Sequence, residues 1–289
     1  MPNHPGSGFG DRTHPSLVSR GEGNGVLREH PQLDFDPRRV SAPLLIWVRG
    51  DLGTTMNSDN VSSWLDQSGN GNDFAQSTAS EQPELITGPS GRRVLRFLNA
   101  DDTRMNNAAT SFNMYSDLTD KGKWTVVVAV SDWTPTSSYA SFLGANPVAW
   151  CGANGTTSAE ICISVSSTTS NPVPLMGGVD ASPAYVYANT ASGADVDSGD
   201  PFVAVLWSDG SNWSSRTNGQ DGDSNSGGDL RSNSDVFYLG DAKPPMVTGT
   251  AAEQFTGNIL ELLVFDGELE DDEMEELEAY IIDRYGMDV

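Results

Sequence analysis

The chain has 289 residues and sets forty Asp and Glu against sixteen Lys and Arg, a net charge of −24 at pH 7. That length holds one large β domain or two small ones, and it buries a core without disulfides or metals. So negative a field repels phosphates and anionic headgroups, which argues against nucleic acid and membrane insertion, and no apolar run approaches the ~18 residues of a membrane span.

Only three of the basic residues are Lys (Lys121, Lys123 and Lys243). Few Lys beside many acids suits a halophilic setting, where a Debye length of ~3 Å at 1 M salt removes the self-repulsion; an ordinary acidic protein is the plainer alternative. The opening Met-Pro-Asn-His-Pro-Gly lacks the basic-then-apolar pattern of an export signal, so a product outside the standard export route is expected.

Residues 1–40 form the first segment, an extended N-terminal arm. It is rich in Gly, Pro, Arg and His, has almost no apolar periodicity, and balances five Arg against five acids. Alone it buries too little apolar surface to offset its ordering entropy, so a partner chain is its natural holder. Arg12, Arg20, Arg28, Arg38 and Arg39 are the partner-docking candidates.

Residues 41–289 carry the texture of a β domain. Strands are predicted at 44–48, 94–97, 124–130, 160–165, 202–207, 236–239 and 259–265, each short, β-branched or aromatic and bounded by Gly, Pro, Asn, Asp or Ser. Cys151 and Cys162 flank Asn154-Gly155, a strong hairpin signal. A two-residue turn there sets Cys162 opposite Pro147 and holds the thiols roughly 13 Å apart, too far to bridge, so free, partly buried thiols are expected. At the C-terminus Met274, Leu277, Ile281 and Tyr285 fall on one stripe of a helix at about 270–285, with Gly286 as its stop. The expected fold is all-β: a two-sheet antiparallel jelly-roll sandwich with one C-terminal closing helix.

Several runs carry a family resemblance. Leu45-Ile46-Trp47-Val48-Arg49-Gly50-Asp51-Leu52-Gly53, then residues 61–73 through Trp64 and Asp66-Gln67-Ser68-Gly69-Asn70-Gly71-Asn72-Asp73, are similar to the first strand and turn of the laminin-G-like jelly rolls in the concanavalin-A-like lectin/glucanase superfamily. Residues 93–97 with Asp101-Asp102 resemble its next landmark, and 255–265 through Tyr280-Ile281 and Tyr285-Gly286 its closing strand and helix. The resemblance is strongest at the two ends, and residues 165–235 match nothing in it. Glu270 departs from the pattern, standing where the family carries Ser or a similar helix cap. The resemblance implies the fold; such domains occur in glycan binders, adhesion proteins and viral surface proteins, and fold analogy does not choose among them.

Catalysis is not expected. His4, His14 and His30 all lie in the arm, leaving the sandwich without imidazole, and no predicted strand carries the alternating carboxylates of a sandwich glucanase. Glu160 and Glu261 are each the only acid within their strands and read as edge residues or Arg partners. No cofactor is required. Calcium is the one ion with a candidate set, Asp221, Asp223, Asn225 and Asp229 in a Gly-rich stretch, weighed against a plain solvated acidic loop. Asp101 and Asp102 form a second, smaller set. The acidic run from Glu268 to Glu278 reads as a solvated helix start favoured by the macrodipole, with docking of an Arg-bearing partner as the alternative.

Glycan binding needs aromatic platforms beside Asn or Asp. Asp209, Asn212 and Trp213 sit together, and Tyr185 and Tyr187 alternate along a candidate strand, so these five are the ligand-binding candidates. Trp213 serves equally well as a core plug. Trp47, Trp64, Trp124 and Trp207 are expected in the core. The function expected first is a virion structural protein of a tailed virus (a capsid decoration, turret or tail appendage at the virion surface). Its partners would be other virion proteins, copies of itself as a homo-oligomer, and a host surface glycan. The alternative is a carbohydrate-binding or adhesion module of an extracellular or cell-surface protein.

Overall fold

The computed structural model describes residues 35–107, 112–134, 139–145, 161–166, 173–179, 185–189, 196–230, 237–240 and 255–289. They build two antiparallel sheets with a helix packed outside one of them. In the first sheet β1 (Leu44–Arg49) pairs with β17 (Thr256–Phe265), which pairs with β8 (Lys123–Thr134). The order continues through β13 (Phe202–Asp209), β14 (Asn212–Thr217) and β15 (Gln220–Ser226). Beside β1, the start of β17 also pairs with β6 (Arg93–Phe97), which carries β5 (Glu84–Thr87).

The second sheet runs β2 (Thr54–Asn57), β3 (Asn60–Trp64), β4 (Phe74–Ala75), β7 (Met105–Asn106), β16 (Phe237–Leu239), β9 (Tyr139–Ala145), β10 (Ile161–Ser166), β11 (Val173–Val179) and β12 (Tyr185–Asn189). A short α1 (Met114–Asp117) is capped by Asn113, whose Oδ1 accepts from the Ser116 N–H at 2.9 Å. The closing helix is α2 (Asp271–Tyr285). Among the described residues no helix is long and apolar enough to cross a membrane.

Strand alternation explains the burial. In β8, Val126, Val128 and Val130 enter the core between the sheets while Val127 and Ala129 enter the layer beneath α2. A sheet buried on both faces reads as a continuous apolar run, which is why β8 and β17 are the clearest strands in the sequence. The inner core gathers Trp64, Phe74, Phe97, Trp124, Trp133, Phe202, Trp213 and Phe237. The outer layer sets Trp47, Val203, Val205, Leu260 and Leu263 against Met274, Leu277, Tyr280, Ile281 and Tyr285 of α2.

The landmark turn after β3 is structural. Asp66 Oδ1 accepts from the Trp47 N–H at 2.8 Å, and Asp66 Oδ2 from Ser68 Oγ at 2.6 Å and the Asn72 N–H at 3.0 Å. Asn70 and Asn72 donate side-chain N–H groups to the Leu44 and Leu45 carbonyls. Gly69 (φ 99°) and Gly71 (φ 76°) supply the left-handed positions. The turn thus saturates the free edge of β1.

Three expectations are corrected. Cys162 stands opposite Gly144, not Pro147, so the β9–β10 register is not the one that a two-residue turn at Asn154-Gly155 would set; that turn, Cys151 and Glu160 lie outside the described residues. The end of the segment assigned to the arm belongs to the packed domain: Phe35 stacks on Tyr280 (centroids 5.4 Å apart) and Val40 joins the layer under α2. The helix starts at Asp271 without a short polar cap, because the Glu273 carboxylate accepts from the Glu270 N–H at 3.1 Å, half of a capping box.

Candidate functional site

The polar turn at Asp209 is closed on itself. Gly210 has φ 93°, the conformation that a two-residue hairpin turn needs at its first position. Asp209 Oδ1 accepts from the Ser211 and Asn212 N–H groups at 2.7 Å each, and Oδ2 from Asn212 Nδ2 at 3.2 Å. Burial raises the Asp209 carboxyl, but these hydrogen bonds outweigh it and hold the group below the usual range. Asp209 and Asn212 therefore hold each other.

Trp213 points the other way. It is fully buried, meets Trp124 edge-on at 5.3 Å, and donates its Nε1–H to the Gly228 carbonyl at 3.0 Å. A Cβ on Gly227 would come within 2.7 Å of the indole, so this Gly makes the seat. Of its two sequence roles, the core plug is the one the structure shows; the indole offers no platform to a sugar.

The calcium set is not brought together. Asp221, Asp223 and Asn225 lie in strand β15, not in a loop, and alternate positions on a strand stand roughly 6–7 Å apart along the chain. Asp221 is 3.7 Å from Arg216 Nη1 at one end of β15, whereas Asp229 lies beyond the other end, beside the Asp120–Gly122 turn. Among the described residues no three His, Cys, Asp or Glu side chains gather as a metal site. Asp102 is engaged by Arg104 at 3.1 Å.

Of the docking arginines, Arg12, Arg20 and Arg28 lie outside the described residues. Arg38 grips Asp36 through Nε and Nη2, each at 2.9 Å, and lies 5.6 Å from the Trp47 ring centroid. Arg39 is exposed. The acidic run is exposed at Glu268, Glu270, Asp271, Asp272, Glu275 and Glu276 but not at Glu273 and Glu278. Glu273 takes the Ser41 N–H and Oγ–H at 2.6 and 2.7 Å, and Glu278 is buried against Arg216 at 2.9 Å while accepting the Gly219 N–H at 2.9 Å.

Sequence reasoning offered Glu261 as an edge residue or an Arg partner; the pairing is what the structure shows, within a charged cluster under α2 that the sequence reading missed. Glu261 is wholly buried, accepts the Trp47 Nε1–H at 2.6 Å and lies 3.7 Å from Arg284 Nε. Asp51 gathers Arg284 at 2.5 Å, Arg92 at 3.0 Å and Arg49 at 3.2 Å. Desolvation pushes the Glu261 carboxyl up to about 7 against the pull of Trp47, Arg284 and Arg49. A perturbed carboxyl in a cleft suggests catalysis, but this one is sealed between sheet and helix and paired with Arg. It locks α2 in place. The signal was a lone acid in an apolar strand together with an Arg on the last helical turn.

The remaining candidates, Tyr185 and Tyr187, fall on the second sheet. Ile161, Ile163, Leu143, Val186, Ala188, Phe237 and Leu239 are buried and mark its core face. The register then assigns the opposite face: Tyr139, Ser141 and Gly144 on β9; Cys162, Ser164 and Ser166 on β10; Val173, Leu175, Gly177 and Val179 on β11; Tyr185, Tyr187 and Asn189 on β12; Tyr238 on β16. Four of the seven tyrosines occupy positions on this one face. Where the exposure of residues on the same face is described, Ala75, Asn106 and Tyr238 are half-buried and Gly144 is buried. Strands β9 to β12 contain no Asp, Glu, Lys or Arg, in a chain with fifty-six charged residues.

No family model matches the chain, and no curated protein matches it. Solved structures do. The binding domain of botulinum neurotoxin DC, in complex with SialylT, superposes with a TM-score of 0.53 at 11% identity over 81% of this chain and 50% of that one. The serotype C1 binding domain gives 0.51 at 10% identity, over 81% and 51%. Domain 4 of AbnA, a GH43 extracellular arabinanase from Geobacillus stearothermophilus in complex with arabinotriose, gives 0.52 at 16% identity, over 82% and 98%. This chain thus spans about half of each toxin domain but nearly all of the arabinanase domain. Identities this low show a shared β-sandwich fold.

Proposed function

We propose that this protein is a carbohydrate-binding β-sandwich module of an extracellular or surface-associated protein, and that it takes sugar on the β9–β12 face of the second sheet. The observation that carries the reading is that face itself: four tyrosine positions with serines and an asparagine beside Val173, Leu175 and Val179, on strands with no charged residue in a strongly acidic chain. Aromatic faces cover the apolar side of a sugar ring, and hydroxyl and amide groups bond its hydroxyls. The fold shared with an arabinanase domain that holds arabinotriose, over 98% of its length, supports it. The virion role expected first finds no support of its own in the fold or the likenesses, which favour the carbohydrate-binding alternative. Docking through the arm and self-association stay proposals, resting largely on residues outside those described.

A glycan and polysaccharide array with the full chain tests the reading. Retention of at least one carbohydrate, lost on Tyr187→Ala with an unchanged circular dichroism spectrum, is expected. An array without any bound carbohydrate would overturn it.

A further inference from the structure

We infer that two copies of this chain join through the free edge of β2, Thr54 of each pairing antiparallel with Met56 of the other about a two-fold axis. The inference goes beyond the carbohydrate-binding reading and does not depend on it.

Among the described residues β2 pairs with β3 alone, and Thr55, Met56, Asn57 and Ser58 are exposed. In an antiparallel ladder, pairs that exchange both backbone hydrogen bonds alternate with pairs that exchange none. The Leu65 N–H donates to the Gly53 carbonyl at 2.9 Å, so the next pair, Thr54 with Trp64, exchanges none. The Val61 N–H donates to the Pro83 carbonyl at 2.8 Å, away from β2, so its opposite residue Met56 is unbonded on that side too. Thr54 and Met56 therefore turn their backbone N–H and carbonyl groups to the free edge. The extra residue of the local bulge is Ser62 on β3, which leaves that edge regular.

The spacing of two residues makes the edge complementary to itself. With Thr54 opposite Met56 of the second copy, and Met56 opposite its Thr54, four reciprocal backbone hydrogen bonds close the seam. Opposed residues share a face, so Met56 (42% exposed) lies across Thr54 toward Leu52 (43% exposed) of the other copy. Leu65 (42% exposed) stands beside the seam, over Gly53. These are three of the four exposed large hydrophobic side chains among the described residues.

Natural proteins blunt such edges with Lys, Pro or other charges, and residues 52–58, Leu-Gly-Thr-Thr-Met-Asn-Ser, carry none of them. A second copy is the occupant this edge fits. Strand addition takes its specificity from the added side chains, and here Met56 from one copy meets Thr54 and Leu52 from the other on both sides of the axis. Within the bonded stretch no acid meets an acid, although each copy carries a net charge of −24. The remaining repulsion is long-range, and salt screens it.

Sedimentation equilibrium of the full chain from about 10 μM to about 1 mM, at low and at molar potassium chloride, tests this together with amide hydrogen exchange. A reversible dimer is expected at molar salt and a weaker one at low salt, with the Thr54 and Met56 amides exchanging more slowly as the dimer fills. Thr54→Pro removes an edge donor that β3 does not use, and Met56→Glu adds an acid from each copy to the seam. Each should weaken the dimer at least about tenfold, with Met56→Glu keeping the wild-type circular dichroism spectrum. A chain that stays monomeric up to about 1 mM at molar salt would overturn the inference. So would a dimer indifferent to both variants, or one whose Thr54 and Met56 amides exchange as freely as in the monomer.

Discussion

Trp213 shows how context outranks composition at a single residue. Its neighbours Asp209, Gly210, Ser211 and Asn212 spell a polar loop, yet the hairpin turn ends before it and strand alternation carries the indole inward onto Trp124. Trp213→Ala should therefore destabilise the fold by about 3–5 kcal/mol in urea titrations, the usual result of emptying a buried aromatic site. A variant within 1 kcal/mol of wild type by that measure would contradict the burial. Glu261 makes a second residue-scale prediction. Its carboxyl, raised by burial to about 7, holds a proton in the folded state that the unfolded chain releases near 4.5. The native state binds more protons between those values, so this group's stabilisation is complete below about 4.5 and fades as pH rises through about 7. Glu261→Gln removes that dependence while its amide oxygen can still accept from Trp47 Nε1. The melting temperature of the variant should gain on wild type as pH rises from about 5 to about 8; parallel curves would count against a raised carboxyl.

At the scale of elements, α2 is held at its last turn and at its middle by buried charge, Arg284 to Asp51 and Glu261 at the first of these and Glu278 to Arg216 and the Gly219 N–H at the second. Glu278→Ala leaves the Arg216 guanidinium with only the exposed carboxylates of Asp221 and Glu275 and strands the Gly219 N–H, so urea unfolding should show a loss of about 3 kcal/mol. A loss below about 1 kcal/mol would mean that the pair is solvated. The sequence made α2 legible through its stripe of Met274, Leu277, Ile281 and Tyr285, and β8 and β17 through their unbroken apolar runs. In the second sheet it showed β10 and β16 and suggested β12 through Tyr185 and Tyr187, but it hid β9 and β11. Strand β11 reads Val-Pro-Leu-Met-Gly-Gly-Val, and Pro with paired Gly suggests a loop; Pro174 fits because β12 pairs only as far as Leu175. Strand β15, Gln-Asp-Gly-Asp-Ser-Asn-Ser, has no apolar face at all, so its sequence suggests a solvated acidic loop, with calcium as the alternative. One local signal was available there: Asn218 (φ 51°) and Gly219 (φ 76°) make the Asn-Gly turn between β14 and β15. The tyrosine face emerges only when β9, β10, β11 and β12 are set in register, because no segment of the chain carries more than two of its tyrosines.

For the whole molecule, charge governs stability. With forty acids against sixteen bases, repulsion opposes the compact state and salt screens it. The melting temperature should rise between low and molar potassium chloride, and a fall would contradict that account. On the proposed reading, the sugar docks on the face of the second sheet formed by β9 to β12, strands without charged residues. Residue-resolved NMR during a titration with a carbohydrate that binds tests this location most directly. The account predicts that backbone amides of Cys162, Gly177 and Tyr187 shift, while those of the Asp209 turn and of β15 stay in place. Shifts concentrated at the Asp209 turn or along β15, with the β9–β12 amides silent, would contradict it.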